Sequence, residues 1–257
     1  MMFRLALAAM FGLVAMGAAA EIQPKDRRSG FEFMSPQTQA MQSDETSNPG
    51  MLWVADGERL WSQPQGVGGK SCESCHADAS KSMCGVAARY PVFDETTRRP
   101  IDLIGRIKQC REQRQSATSL DYQSDELLAL AAYVGYQSHG MPVAPSTDPR
   151  LQPFRENGRA WFARRLGQLQ LSCASCHDDR WGARLGGAVI PQGHATGYPL
   201  YRLEWQTLGS LQRRLRGCLV GVRAEPFDFG APEYVDIELF LMERARGLKM
   251  ETPAVRP

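Results

Sequence analysis

The sequence predicts a mainly α-helical protein that consists of two similar halves. The first observation is a C-x-x-C-H motif that occurs twice, as CESCH at 72–76 and as CASCH at 173–177. The second is that each motif follows a tryptophan-containing segment, GERLWSQ at 57–63 and GRAWFARRLG at 158–167. Matching motifs in matching surroundings indicate an internal repeat of a small helical unit.

Each half closes with a segment of helical periodicity. The segments are 124–141 and 232–250, and apolar residues recur in both at helical spacing. Ser124 and Pro232 are typical of the first positions of a helix. The stretch 142–154 between the halves is rich in proline, so we predict that it is a linker.

Composition and charge exclude two classes of protein. The chain has 257 residues, of which 43% are hydrophobic, and a formal net charge of +2. These values are ordinary for a soluble globular protein. A nucleic-acid binder or a polybasic membrane binder would carry a larger excess of positive charge.

The N-terminus has the pattern of an export signal. Arg4 precedes an uncharged, apolar run from Leu5 to Ala20, which ends in three alanines before Glu21. This pattern predicts a signal peptide that is cleaved after Ala20. The alternative, a membrane anchor, is disfavoured because a membrane span needs about 20 apolar residues. We therefore expect a soluble, exported mature protein.

The C-x-x-C-H motif is the covalent attachment signature of c-type haem. Its two thiols add to the vinyl groups of one haem, and the adjacent histidine ligates the iron. A zinc half-site or a redox C-x-x-C motif would need another context, and two copies behind a signal peptide favour haem. We therefore predict two covalently bound haem c groups. The attachment residues are Cys72, Cys75, His76, Cys173, Cys176 and His177.

A helix, a C-x-x-C-H motif, a loop and a closing helix follow one another in small cytochrome c domains. The predicted fold is therefore mainly α, with two tandem class I cytochrome c-like domains and extensive loops. The predicted segments are the signal peptide 1–20, an N-terminal extension 21–50, an N-terminal domain 51–145 and a C-terminal domain 146–257.

The distal iron ligands are predicted by elimination. Methionine is the usual distal ligand of electron carriers, but Met83 alone lies between the first motif and its closing helix. The corresponding part of the second half has no methionine and offers His194 and Cys218. Cys110 and Cys218 each precede the start of a closing helix by 14 residues, so they are the predicted ligands. A Cys84–Cys110 disulfide, with Cys218 as a buried apolar residue, is the alternative.

Four further stretches resemble the SoxA family, the larger subunits of the SoxAX cytochromes of periplasmic sulfur oxidation. They are GVAARYPVFDE at 85–95, RIKQCR at 106–111, IPQGHATGYPLYRLEWQ at 190–206 and RRLRGC at 213–218. The resemblance covers nearly all of the expected mature chain. The presence of two haem motifs resembles the dihaem form of the family. Cys84 is a departure with no matching family role.

The resemblance implies a periplasmic L-cysteine S-thiosulfotransferase. It implies a heterodimer with SoxX, a small monohaem cytochrome c, and the oxidative coupling of thiosulfate to a cysteine of the carrier protein SoxYZ. Two electrons would leave through haem. His177 and Cys218 match the ligands of the family's catalytic haem in the C-terminal domain, and His76 and Cys110 match those of the N-terminal haem.

The arginines around Cys218 suit a thiosulfate site. Thiosulfate is a small dianion, and the planar arginine fork binds oxyanions better than lysine does. LGSLQRRLRGCLV at 208–220 is predicted to be a helix, which places Arg214 on the same face as Cys218. Arg214 also matches the family's substrate arginine, so Cys218 and Arg214 are the predicted catalytic residues. Arg106 stands four residues before Cys110 too, so this spacing does not distinguish the two sites.

Two other functions compete with this one. A plain dihaem electron carrier predicts methionine as the distal ligand, and no methionine is well placed in either loop. A dihaem peroxidase requires an open haem site.

Overall fold

The structure is a computed structural model that describes residues 22–257, so the predicted signal peptide lies outside the described residues. It is mainly helical, as predicted. The α-helices are α1 Pro36–Ser43, α2 Met51–Ser62, α3 Glu73–His76, α4 Ala79–Ser82, α5 Leu103–Arg114, α6 Asp125–Tyr136, α7 Gln152–Ala163, α8 Cys173–His177, α9 Leu211–Gly221 and α10 Pro232–Arg244. None of the helices within residues 22–257 combines the length and the apolar character that a membrane span requires.

Short strands connect the helices. They are β1 Val92–Asp94, β2 Arg99–Ile101, β3 Arg184–Leu185, β4 Ala188–Val189, β5 Leu200–Arg202, β6 Thr207–Gly209 and β7 Ala254–Arg256. β1 pairs with β2 and β3 with β4, both antiparallel. β5 lies in the middle of a three-stranded sheet, antiparallel to β6 and parallel to β7.

The order of elements repeats along the chain. α2, α3, β1, β2, α5 and α6 are followed by α7, α8, β5, β6, α9 and α10 in the same arrangement. Asp102 caps the N-terminus of α5 and Ser210 caps that of α9. The two capping residues are 108 residues apart (210 minus 102). The repeat therefore extends from the sequence motifs to the small strands and the helix caps between them.

Each half is built on one close pair of helices. α2 packs against α6, and α7 packs against α10. A Cβ atom at Gly57 would lie 2.1 Å from the Ala129 carbonyl oxygen, and one at Gly158 would lie 2.0 Å from the Asp236 carbonyl oxygen. Only glycine permits so close an approach of the two helix backbones.

The predicted linker is a packed segment. The Val143 side chain is buried, its amide donates to the Leu248 carbonyl oxygen at 2.7 Å, and the Ala144 amide donates to the Ala88 carbonyl oxygen at 3.0 Å. α7 begins at Gln152, inside the stretch predicted to be a linker. Proline therefore marks the connection correctly, but tertiary hydrogen bonds fix it in place.

Helix boundaries differ from the predicted ones in two ways. α6 begins after its Ser124 cap, as expected, but it ends at Tyr136, and α10 ends at Arg244. The prediction that Leu208 shares a helix with Cys218 is wrong, because Leu208 lies in β6 and α9 begins after Ser210.

Candidate functional site

The first C-x-x-C-H motif forms a single helical turn at the surface. Cys72 is the residue before α3, and Cys75 and His76 are exposed. Trp61 of α2 lies beside the motif, with its ring centroid 5.8 Å from that of His76. Its indole nitrogen donates to the Ala77 carbonyl oxygen at 3.0 Å. α2 thus positions the end of the motif helix.

The second motif is more enclosed. Ser172 caps α8 through a reciprocal pair of hydrogen bonds with Ser175, and Cys173, Cys176 and His177 are all half-buried. The helix therefore presents two thiols and an imidazole from adjacent turns, the donor set that haem c requires.

The His177 ring is fixed in one orientation and one tautomer. Its Nδ1 lies 2.7 Å from the Pro191 carbonyl oxygen, and a carbonyl only accepts, so Nδ1 carries the proton and Nε2 keeps its lone pair. Burial lowers the pKa of His177, which favours the neutral form that ligates a metal. A Cβ at Gly193 would lie 2.9 Å from Cγ of the ring. These features fit a haem-ligating histidine.

The structure places Cys110 near the first C-x-x-C-H motif and Cys218 near the second. Burial raises the pKa of Cys110, the nearby Arg106 and Arg114 oppose this increase, and the nearby Cys75 adds to it. Burial raises the pKa of Cys173 to about 12, with an additional contribution from the neighbouring Cys218. Cys110 lies on α5 and Cys218 on α9, so equivalent helices carry the two predicted distal ligands.

The methionines and the remaining cysteine have other contacts. Met83 packs in the cluster around Trp61, and Met250 is buried in the core. Cys84 is exposed, and its thiol lies 3.9 Å from the Met141 sulfur. All seven cysteines are free in the structure, and the Cys84 thiol contacts Met141 and not Cys110.

Arg214 is half-buried beside Cys218 and Tyr198. Burial alone would lower the pKa of Arg214, but the neighbouring Cys218, Tyr198 and Glu204 raise it overall. Within residues 22–257, no carboxylate lies within 4.0 Å of its guanidinium. The neighbouring arginines are engaged elsewhere: Arg213 stacks 4.2 Å from the Trp205 ring centroid and Arg216 lies 4.6 Å from that of Phe229.

Arg106, the equivalent arginine of the first half, forms a buried ion pair. Arg106 donates from Nη2 to the Asp94 carboxylate at 2.9 Å, and Asp94 is only 2% exposed. Its other guanidinium nitrogen donates to the Gln109 side chain at 2.5 Å. The two arginines therefore share a sequence position but differ in whether their charge is already neutralised.

A buried ion pair adjoins the second motif. Arg244 of α10 donates to the Asp178 carboxylate at 2.7 Å and to the Gln192 carbonyl oxygen at 3.2 Å. Its guanidinium lies 4.5 Å from the ring centroid of Phe162, the counterpart of Trp61. Where the first half uses an indole to hold the residue after the motif, the second half uses an arginine.

Two further residues were not predicted from the sequence. Tyr198 is positioned near Arg214 and Cys218, and burial raises its pKa. Asp102 accepts hydrogen bonds from Tyr122, and from Gln212 of α9 at 3.1 Å, so it ties α5 to α9. A sequence alignment of the two halves would place Tyr198 opposite Tyr90, but the Asp102 contact crosses between the halves and has no sequence pattern.

His194 lies on a loop, as expected. Its Nε2 atom lies 3.2 Å from the Gln192 amide oxygen, which also accepts from the Arg28 amide at 2.7 Å. Burial lowers the pKa of His194 to about 3, so it is neutral. The residue helps to hold the N-terminal segment against the second half.

The fold and the motif helices define a c-type cytochrome with covalently bound haem c. A family model described as "SoxA/TsdA, cytochrome c domain" matches residues 56–143. L-cysteine S-thiosulfotransferase subunit SoxA of Pseudaminobacter salicylatoxidans is 38% identical over 95% of this chain and 86% of its own length. The subunit of the same name from Rhodovulum sulfidophilum is 37% identical over 89% of this chain and 80% of its own length. The crystal structure of SoxXA from P. pantotrophus matches with a TM-score of 0.86, 32% identity, and coverage of 90% of this chain and 87% of that chain. This chain belongs to the SoxA family of L-cysteine S-thiosulfotransferase subunits.

Proposed function

We propose that the chain is the dihaem subunit of an enzyme that couples thiosulfate oxidatively to a carrier-protein cysteine. The two haem c groups are held by tandem class I cytochrome c-like domains, 51–145 and 146–257, and the second domain is catalytic. The supporting observation is that α9 brings Cys218 and the unpaired Arg214 next to the second C-x-x-C-H helix.

The reaction forms one S–S bond. The carrier thiol loses its proton, and its sulfur bonds to the outer sulfur of thiosulfate, which gives a carrier S-thiosulfonate, one proton and two electrons. Haem c, when bound, supplies the electron acceptor that this oxidation requires.

The residues of the second site have separate tasks. Arg214 binds the thiosulfate dianion through its planar fork, and the acidic residue that acts on it, Glu204, is already paired with Arg202. Cys218 and His177 would ligate the iron of the second haem, and Pro191 holds the His177 ring in the tautomer that this requires. Cys218 would also supply the sulfur at the reaction site. His76 and Cys110 would ligate the iron of the N-terminal haem.

The proposed assembly has two protein partners. The similar structure from P. pantotrophus is a SoxXA complex, so we place this chain in a heterodimer with a monohaem SoxX subunit. The carrier is SoxYZ, and the location is the periplasm after cleavage of the signal peptide behind Ala20.

Replacement of Cys218 tests this function. In the haem-loaded complex with SoxX, Cys218→Ser is expected to abolish thiosulfate-dependent reduction of cytochrome c in the presence of SoxYZ. Cys110→Ser is the matched control, because it changes the equivalent residue of the other half. Intact turnover in Cys218→Ser would overturn the proposed function.

A further inference from the structure

The two halves carry the same arginine on the same helix, four residues before the same cysteine. Arg106 and Cys110 lie on α5, and Arg214 and Cys218 lie on α9. Neither the motifs nor this spacing explains why one site would bind thiosulfate and the other would not. The difference lies in one residue of the strands that precede these helices.

In the first half that residue is Asp94, the last residue of β1. Its carboxylate is buried and accepts from Arg106 at 2.9 Å. It also accepts from the amide and the hydroxyl of Thr97, each at 2.9 Å. Asp94 is therefore fixed by its own turn and neutralises Arg106, so an anion could bind Arg106 only by displacing a buried carboxylate.

The corresponding residue of the second half is Arg202. Asp94 is paired with Arg99 across the β1–β2 ladder, and Arg202 is paired with Thr207 across the β5–β6 ladder. Each pair is the last one before the turn of its hairpin, and each hairpin immediately precedes the helix that carries the cysteine of its half. The strand registers thus make Arg202 the structural equivalent of Asp94 and reverse the charge at this position.

This reversal changes the environment of Arg214. Arg202 donates to the Glu204 carboxylate at 2.8 Å, and Glu204 is 64% exposed. Glu204 also raises the pKa of Arg214, but unlike the buried Asp94 it is open to water and already paired with Arg202. Arg202 and Arg214 both lower the pKa of Tyr198, which burial raises, so both cations act on the same phenol. The second site therefore has no carboxylate in the position from which Asp94 neutralises Arg106.

We infer that position 202 determines which site binds thiosulfate: arginine there leaves Arg214 free for a divalent oxyanion, and Asp94 closes the equivalent position of the first site. This inference rests on the proposed function. Arg202 is a specificity-determining residue that acts through Arg214, and Asp94 is an internal competitor for the substrate's place.

The test introduces the carboxylate of the first site into the second. In the haem-loaded complex with SoxX, Arg202→Asp is expected to raise both the dissociation constant and the KM for thiosulfate at least tenfold. The optical and EPR spectra of the haem iron are expected to remain unchanged. Binding is measured at constant ionic strength from the haem absorbance change on titration with thiosulfate. Unchanged binding in Arg202→Asp would overturn the inference.

Two further variants separate the carboxylate from a general loss of charge. Arg202→Gln removes the cation without adding a competitor, and it is expected to weaken binding less than Arg202→Asp. Equal weakening by both variants would refute the role of the carboxylate. Arg59→Asp makes the same charge change at an exposed position of α2, and it should leave thiosulfate binding unaltered.

The reciprocal variant opens the first site. Asp94→Asn retains an acceptor for the Thr97 turn and removes the charge that neutralises Arg106. We expect the stoichiometry of thiosulfate binding to rise from one to two per chain, and a stoichiometry that stays at one contradicts the inference. These equilibrium measurements are independent of turnover, so an inactive wild-type complex would refute the proposed function while the binding data still decide the role of position 202.

Discussion

The buried pair of Arg244 and Asp178 links α10 to the residue that follows the second haem motif. The Arg244 side chain is 4% exposed and that of Asp178 is 10% exposed. We consider Arg244→Met, which keeps most of the side-chain volume and removes the charge. Asp178 then remains as a buried carboxylate without its cation, and the Gln192 carbonyl oxygen loses a donor.

The expected cost is large for one substitution. Removal of one partner from a buried ion pair costs about 3–5 kcal/mol, because the remaining charge is desolvated and uncompensated. At about 2–4 °C per kcal/mol for a chain of this size, Tm is expected to fall by roughly 6–20 °C. Urea and thermal unfolding of the haem-loaded protein, followed by circular dichroism, measure both quantities.

A double variant isolates the charge. Asp178→Asn combined with Arg244→Met removes both ions, so it is expected to recover more than half of the loss. A loss below about 1 kcal/mol in Arg244→Met would refute the reasoning, since such values are typical of exposed pairs. So would a double variant that is less stable than Arg244→Met alone.

Three further predictions follow from the close helix contact, the substrate arginine and a buried carboxyl. Gly158→Ala places a Cβ 2.0 Å from the Asp236 carbonyl oxygen, so α7 must move away from α10, and urea unfolding should show a loss of about 1–3 kcal/mol; unchanged stability would contradict the close approach. Arg214→Lys keeps the charge but loses the bidentate fork, so kcat/KM for thiosulfate should fall about tenfold, mainly through KM; a pure kcat effect would argue against a binding role. Burial raises the pKa of Asp236 to about 6 despite the nearby Arg99, so the folded state binds this proton more tightly than the unfolded state does. Its contribution to stability is present below about pH 4 and is lost as pH rises through 6; Asp236→Asn should therefore gain stability relative to the wild type between pH 4.5 and 7, and parallel pH profiles would contradict this.

The covalent chemistry of haem attachment made much of this protein predictable. A C-x-x-C-H motif has a fixed spacing, and a capped helix such as the one after Ser124 begins at a recognisable residue. These local rules identified the two halves, the motif helices and the closing helices. The repeat also predicted that Cys110 and Cys218 occupy equivalent positions, and the structure places them on the equivalent helices α5 and α9.

Features that depend on pairing between distant residues were not predictable. Strands of three residues are too short for a periodic pattern, and this is why the sequence predicts Leu208 to be helical although it lies in β6. The roles of Asp94 and Arg202 depend on strand register, which aligns them only once β1–β2 and β5–β6 are known. Arg244 and Asp178 are 66 residues apart, and neither belongs to a motif.

The parallel pairing of β5 with β7 has a consequence for the order of folding. β7 includes Val255, whose amide donates to the Gln42 side chain of α1 at 3.0 Å, so this strand joins α1 to β5, the central strand of the three-stranded sheet. Contacts between such distant segments carry a loop-closure cost and form late. A chain that leaves the ribosome N-terminus first would expose α1 long before its partner strand emerged. The helical halves can collapse during that interval, whereas the N-terminal helix gains its anchor only when the strand at 254–256 arrives.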